Sequence, residues 1–319
     1  MDFRDLQYLL IIAEEGSISK AAERLFMSQS SLSQTLQGLE GNLGAPIFER
    51  SNRGVCPTEA GQRLLARGRQ IVDIYRDAAN EFRDRSGQVS GTLEFGTASF
   101  RGQFLIPPAL QEYYRLYPQV RVHITELNSN RLERLIGDGS LDLALTALPS
   151  AEHANCAVDS RFRDEMVIVA SRAHPIMEKV HSSPDGRLWV CPEDAAVYEF
   201  ILSDPNTRLG HMARKIFENS GLKIKSRNDN ITAAFAAALA REGLGLALTY
   251  RSCLIEDKKT TYLSIGPEGE FLRLALLLPK SNYHSLAARA FADLLRRHLR
   301  QVLSPDEAGE PKDGPVFER

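Results

Sequence analysis

No apolar run in these 319 residues approaches the ~20 needed to cross a bilayer, which excludes a helical membrane protein. The four cysteines, Cys56, Cys156, Cys191 and Cys253, are scattered with no C-x-x-C spacing. Free, mostly buried thiols are expected rather than disulfides or a zinc site. The seven histidines are equally dispersed, without H-E-x-x-H or paired-His spacing, so no metal ligands are assigned. A G-x-S-x-G elbow and a P-loop are missing too, so no catalytic residue and no cofactor are expected. Met-Asp-Phe-Arg-Asp at the start lacks a basic n-region and an apolar h-region, and the expected location is the cytoplasm. An excess of charge is also lacking, since the chain carries a net −2. What remains is ordinary globular composition, 43% hydrophobic and 25% charged, long enough for two or three domains.

Residues 17–44 carry the clearest pattern. Ser17 is placed to cap a helix holding Ile18, Ala21, Ala22 and Leu25, and Phe26-Met27 make a turn. Ser28 then caps a second helix with Leu32, Leu36, Leu39 and Leu43 on one face, closed by Gly44. Its other face holds Gln29, Ser30, Ser33, Gln34 and Gln37. Uncharged amides and hydroxyls can both donate to and accept from base edges in a major groove. A merely solvated Gln/Ser-rich helix is the alternative.

The flanks favour the first reading. A helix with Leu6, Leu9, Leu10 and Ala13 on one side precedes the pair. A short hairpin follows, from Phe48-Glu49-Arg50 through Ser51-Asn52-Arg53-Gly54 to Val55-Cys56, with Arg53 at its tip. Three helices and a hairpin make a winged helix-turn-helix, and a tip arginine suits a minor groove. Residues 1–58 nevertheless hold five basic against seven acidic residues. Counterion release from so few cations is weak. Tight binding to double-stranded DNA then calls for two or more copies acting together.

Thr58 can cap a helix to about Arg85 in which Gly61, Leu64, Gly68, Ile71, Tyr75, Ala78 and Phe82 recur at steps of three and four between charged flanks. Pairing between subunits is expected; packing on its own domain is the alternative. Ser86-Gly87-Gln88-Val89-Ser90-Gly91 reads as a linker.

Residues 1–86 resemble the N-terminal domain of LysR-type transcriptional regulators. The matching residues are Leu6, Ala21-Ala22-Glu23-Arg24-Leu25, Phe26, Ser28-Gln29-Ser30-Ser31-Leu32-Ser33-Gln34, Leu39-Glu40, Leu43-Gly44, Phe48-Glu49-Arg50 and Thr58-Glu59-Ala60-Gly61. Gly38 and Gly41 depart from the good helix formers usual in that family, each costing up to ~1 kcal/mol of local helix stability. The helix is therefore expected to fray before Gly44 unless DNA or packing holds it. The resemblance implies a transcription regulator acting as a homodimer or homotetramer, with RNA polymerase among its partners. Gln29, Ser30, Ser33 and Gln34 would face bases, Arg50 a phosphate and Arg53 the minor groove.

From Thr92 the pattern alternates between strands and helices, which implies α/β architecture with parallel sheets. The resemblance extends over 91–300 through Tyr117-Pro118, Gly139-Ser140-Leu141-Asp142-Leu143-Ala144, His174-Pro175 and Glu242-Gly243-Leu244-Gly245. It implies a two-lobed, periplasmic-binding-protein-like domain. The expected division is a DNA-binding domain 1–58, a dimerisation helix and hinge 59–90, an effector-binding domain 91–300 and a disordered tail 301–319. Within 91–300, lobe I holds 91–161 and 266–300, and lobe II holds 162–265.

In open α/β sheets a ligand sits beyond the carboxyl ends of the strands. Thr97, Ser99, Phe100, Asn128, Thr146, Ser203 and Thr249 lie there, and Thr232 starts a helix. Ser99 precedes a helix N-terminus, a natural place for a carboxylate. The resemblance points to Ser99 and Asn128 as effector contacts and to Phe200–Ser203 as the facing wall. Arg101 can neutralise an anion or be a solvated loop residue. A small, anionic effector is the expected ligand. The rival reading is a solute-binding protein or an enzyme on the same two-lobed fold.

Overall fold

The computed structural model describes residues 1–51, 54–85, 87–147, 156–281 and 283–305. It divides into two compact units. One is Met1–Gln88 with the short segments Gly137–Ser140 and Ser281–Ser285, and the other holds the rest.

The first unit is three helices, a hairpin and a long helix: α1 (Phe3–Glu15), α2 (Ile18–Arg24), α3 (Gln29–Leu43), β1 (Phe48–Ser51), β2 (Gly54–Pro57) and α4 (Glu59–Asp84). The expected caps are made. Ser17 accepts from the Lys20 N–H and Ser28 from the Ser31 N–H, while Gly44 ends α3 at φ 71°. Leu9, Ile12, Ala21, Leu32, Leu36 and Leu39 form its core with Ile47, Phe48 and Leu65. Despite Gly38 and Gly41, α3 is continuous to Leu43. Both glycines are exposed, and a Cβ at either would meet nothing within 4 Å. Their cost is therefore one of chain entropy alone, and core burial of Leu32, Leu36 and Leu39 offsets it.

The expected seam of α4 divides in two. Gly61 and Gly68 are buried on the unit itself, and Gly68 lies so close to Leu6 that a Cβ would stand 3.2 Å from its Cδ2. Ile71, Tyr75 and Phe82 stay exposed, and so does Ile74. The first half thus packs on its own domain, while the second leaves an apolar face uncovered.

The second unit runs β3 (Gly91–Thr97), α5 (Ser99–Leu116), β4 (Val120–Glu126), α6 (Ser129–Gly137), β5 (Leu143–Ala147), β6 (Cys156–Ser171), β7 (His181–Ser182), β8 (Leu188–Val190), α7 (Pro192–Ala196), β9 (Glu199–Ser203), α8 (Arg208–Asn219), β10 (Lys225–Ile231), α9 (Ala233–Arg241), β11 (Ala247–Tyr250), β12 (Thr260–Ile265), β13 (Glu270–Pro279) and α10 (Leu286–Val302). The expectation of parallel sheets needs correction. β3 pairs parallel with β4 and β5, and β9 with β10, but β6 pairs antiparallel with β11, β12 and β13. The reason is connectivity, because the chain crosses between lobes along β6 and returns along β13. Phe162 and Leu274 belong to a core with Phe95, Tyr113 and Phe291, whereas Met166 and Leu272 belong to one with Phe200, Phe217 and Leu263. Strands β7 and β8 escape the sequence reading because they are short, and β10 because it is almost wholly polar.

The tip residue Arg53 and residues 306–319 of the expected tail lie outside the described residues, but any tail begins later than expected, because α10 continues to Val302 and Leu303 is buried in the core with Phe291. Among the described residues no helix is long and apolar enough to cross a membrane.

Candidate nucleic-acid interface and effector cleft

Helix α3 is held by its ends. The Glu40 carboxylate accepts from the backbone N–H groups of Ile47 (2.7 Å) and Phe48 (3.1 Å), fixing the start of the hairpin to the helix. Thr58 donates to the Pro46 carbonyl (2.9 Å) and accepts from the Gly61 N–H (3.0 Å). A Cβ at Gly61 would come within 2.0 Å of the Ile47 oxygen, so only glycine fits there. The hairpin also joins the turn after α1. The Val55 N–H donates to the Gly16 carbonyl at 2.8 Å, and Gly54 (φ 115°) passes so close that a Cβ would lie 2.3 Å from the Gly16 oxygen.

On this frame Gln29, Ser30, Gln34 and Gln37 are exposed and Ser33 is half-buried. The Ser30 hydroxyl is hydrogen-bonded to Ser28 (2.9 Å), so part of its capacity serves the cap. Arg50 lies in β1. Arg24 pairs with Glu14 (2.8 Å) and Glu15 (2.9 Å), so one of the few cations is spent on the acids of α1 and the charge deficit stays. Phe26, which the sequence marks only as a turn residue, adopts φ 53° and is 98% exposed, beside the N-terminus of α3. An aromatic residue in the left-handed region costs free energy that nothing in its own packing returns.

In the α/β unit the proposed ligand residues fall into different roles. Thr97, Thr146 and Ser203 are buried at strand ends, as is Thr249. Ser99 is the first residue of α5. Phe100 leans on the opposite lobe, with its ring 6.3 Å from that of Tyr250. Asn128 is exposed and caps α6 by accepting from the Arg131 N–H. Thr232 likewise caps α9 through the Phe235 N–H. Phe200 is fully buried, edge-on to Phe217 in the core, so its ring is spent on packing.

Sequence reasoning misses a charged cluster between the lobes. Arg101 is only 5% exposed and lies 4.2 Å over the Tyr250 ring, with its Nη1 3.8 Å from the Asp164 carboxylate. Asp164 accepts from the Ser252 N–H (3.1 Å) and hydroxyl (2.7 Å). Its neighbour Glu165 pairs with Arg251 and Arg187. Burial pushes the Asp164 carboxyl above its ordinary range, and Arg101 and the Ser252 bonds only partly oppose this. Burial also raises Tyr250 and Cys253, each to about 12, so both stay neutral. Among the buried polar atoms of this unit, Arg101 Nη1, Thr146 Oγ1 and Thr249 Oγ1 lack a hydrogen-bond partner. Leaving such groups unmade costs roughly 1–3 kcal/mol each. Besides Arg101 itself, the signal in the chain is Arg163-Asp164-Glu165 running directly into the apolar stretch Met166–Ala170.

Known proteins align with both units. The model described as "Bacterial regulatory helix-turn-helix protein, lysR family" matches residues 3–62. That for "LysR substrate binding domain" matches residues 86–300. An uncharacterized HTH-type transcriptional regulator, YcgK of Bacillus subtilis (strain 168), is 28% identical, covering 95% of this chain and 96% of its own. A probable RuBisCO transcriptional regulator of Cyanophora paradoxa is 28% identical, covering 90% and 89%. Among solved structures, a full-length OxyR variant from Pseudomonas aeruginosa superposes with TM-score 0.71 at 21% identity, over 98% of this chain and 99% of that one. Full-length CbnR complexed with its target DNA gives 0.64 at 19%, over 93% and 100%.

Proposed function

Because the chain belongs to the LysR family of transcriptional regulators, we propose that Gln29, Ser30, Ser33 and Gln34 of α3 read base edges of an operator while a small anionic effector binds between the lobes of the α/β unit. Arg50 would hold a phosphate and Arg53 the minor groove. The observation that carries the effector site is the orphaned polar set of Arg101, Thr146 and Thr249. A carboxylate or similar anion would accept from the arginine, and the hydroxyls offer further donors for other polar groups of the effector. Because Asp164 already faces Arg101 (3.8 Å), the site can tolerate at most one small anionic group and not a polyanion.

The exposed apolar half of α4, with Ile71, Ile74, Tyr75 and Phe82, supports pairing of copies into a homodimer or homotetramer. Effector binding would shift the balance between lobe arrangements only as far as it binds them unequally. The readout would be transcription by RNA polymerase. A solute carrier or enzyme gains no support, since the head unit would then have no use.

The test uses the full chain. Duplexes selected from a random pool at moderate salt should converge on one motif, and Gln29→Ala should lose that preference. Small mono- and dicarboxylic acids screened by thermal shift should raise the melting temperature, and Arg101→Gln should abolish the rise. Absence of any preferred duplex overturns the assignment of α3. A response that survives Arg101→Gln overturns that of the cleft.

A further inference from the structure

We propose that His181, Cys191 and Asp194 form a binding site for a borderline transition-metal dication, for which zinc(II) is the best match. Their donor atoms all lie within 4.8 Å of one another. Sequence spacing alone assigns these residues no role, because the pattern is unfamiliar. Folding brings the three together through one short turn. His181 pairs with Trp189 across β7 and β8, and the two rings stack at 4.3 Å and 24°. That stacking holds the imidazole plane. Val190 is fully buried and pairs with Ile265 of β12, so Cys191 leaves a strand anchored in the core. Pro192 restricts the backbone immediately after it, and Asp194 sits in the first turn of α7.

The donors are unspent. Cys191 precedes α7 without using its side chain as a cap. Among the described residues none of the three side chains gives its donor atom to a hydrogen bond or ion pair. One nitrogen, one sulfur and one oxygen suit a borderline ion, whereas magnesium and calcium take oxygen almost exclusively. Tetrahedral zinc separates its donors by roughly 3.3–3.8 Å. The site therefore needs a contraction of about 1 Å, within reach of rotation about the side-chain bonds of half-buried Cys191 and Asp194 while the stack keeps the imidazole in place. Thiolate and carboxylate together balance the dication, and the thiol proton is released on binding. The exposed side of His181 leaves the fourth position to water. This site stands independently of the anion cleft.

The experiment titrates the reduced full chain with cobalt(II), which reports a thiolate ligand by charge-transfer absorption and a tetrahedral field by its visible bands. One equivalent should produce both, and zinc(II) should displace them. Cys191→Ser should remove the charge-transfer band, and His181→Ala and Asp194→Asn should each weaken binding at least tenfold. Circular dichroism checks that every variant keeps its fold, and near-isosteric Asp194→Asn and Cys191→Ser keep the test decisive if His181→Ala does not. A titration without a charge-transfer band overturns the proposal. A band of equal strength in Cys191→Ser also overturns it, because another thiol, such as exposed Cys56, is then the ligand.

Discussion

In α3 the side chains of Gln29, Ser30 and Gln34 stand in solvent, whereas in the α/β unit Arg101, Thr146 and Thr249 are almost wholly removed from it. Both groups are polar, and both lack full hydrogen-bond partners within the chain. In water that lack is free, because solvent supplies the bonds. Between two lobes it is a cost, which a bound ligand of the proposed kind would relieve. The exposed set can therefore be changed with little effect on folding. The buried set couples binding to stability at each position.

The largest expected break in that contrast is Asp164→Ala. It strands the buried Arg101 and the Ser252 donors, and should destabilise the α/β unit by about 3–5 kcal/mol in urea unfolding. A loss below ~1 kcal/mol would mean water already satisfies the cluster. Gln29→Ala should sit at the opposite pole. We expect specific duplex binding to weaken by about 1–3 kcal/mol, measured by gel shift, with unfolding changed by no more than ~0.5 kcal/mol.

A smaller effect should appear with pH. The folded Asp164 carboxyl is raised above its unfolded range, so the folded state holds the extra proton. Stability from this group is full below the unfolded value of 3.8 and is lost as pH rises through the raised folded value. Asp164→Asn should flatten that decline in denaturation curves taken across the acid range. An unchanged slope would place the titration elsewhere. The smallest change is expected at Phe26. Phe26→Gly removes an unfavourable left-handed φ from an exposed position, and should alter thermal stability by at most ~1 kcal/mol, in the stabilising direction. If duplex binding falls meanwhile, the ring contributes to the interface; unchanged binding would leave it a turn residue.

The head is legible in the sequence because its signals are local. Ser17, Ser28 and Gly44 sit where a cap is needed, and the leucine steps of α3 report its buried face without knowledge of anything distant. The split of α4 is not legible, since Ile71 and Gly68 obey one periodicity yet only Gly68 meets Leu6. In the α/β unit the pattern locates residues at strand ends but not their tasks. Asn128 and Thr232 are ordinary caps, and Phe200 is core. Arg101 reads as a loop cation until α5 is seen to begin at Ser99 and carry it inward.

The sequence by itself determined the order of elements in the head, the polar face of α3, the hairpin after it and the family resemblance they carry. Each follows from interactions spanning a few residues. Only the tertiary structure decided that β6 and β13 run through both cores, that Arg101 meets Asp164 and Tyr250, and that His181 approaches Cys191 and Asp194. Whether a charge is solvated or buried beside a counter-charge depends on chain segments tens of residues away, and no short-range periodicity encodes that distance.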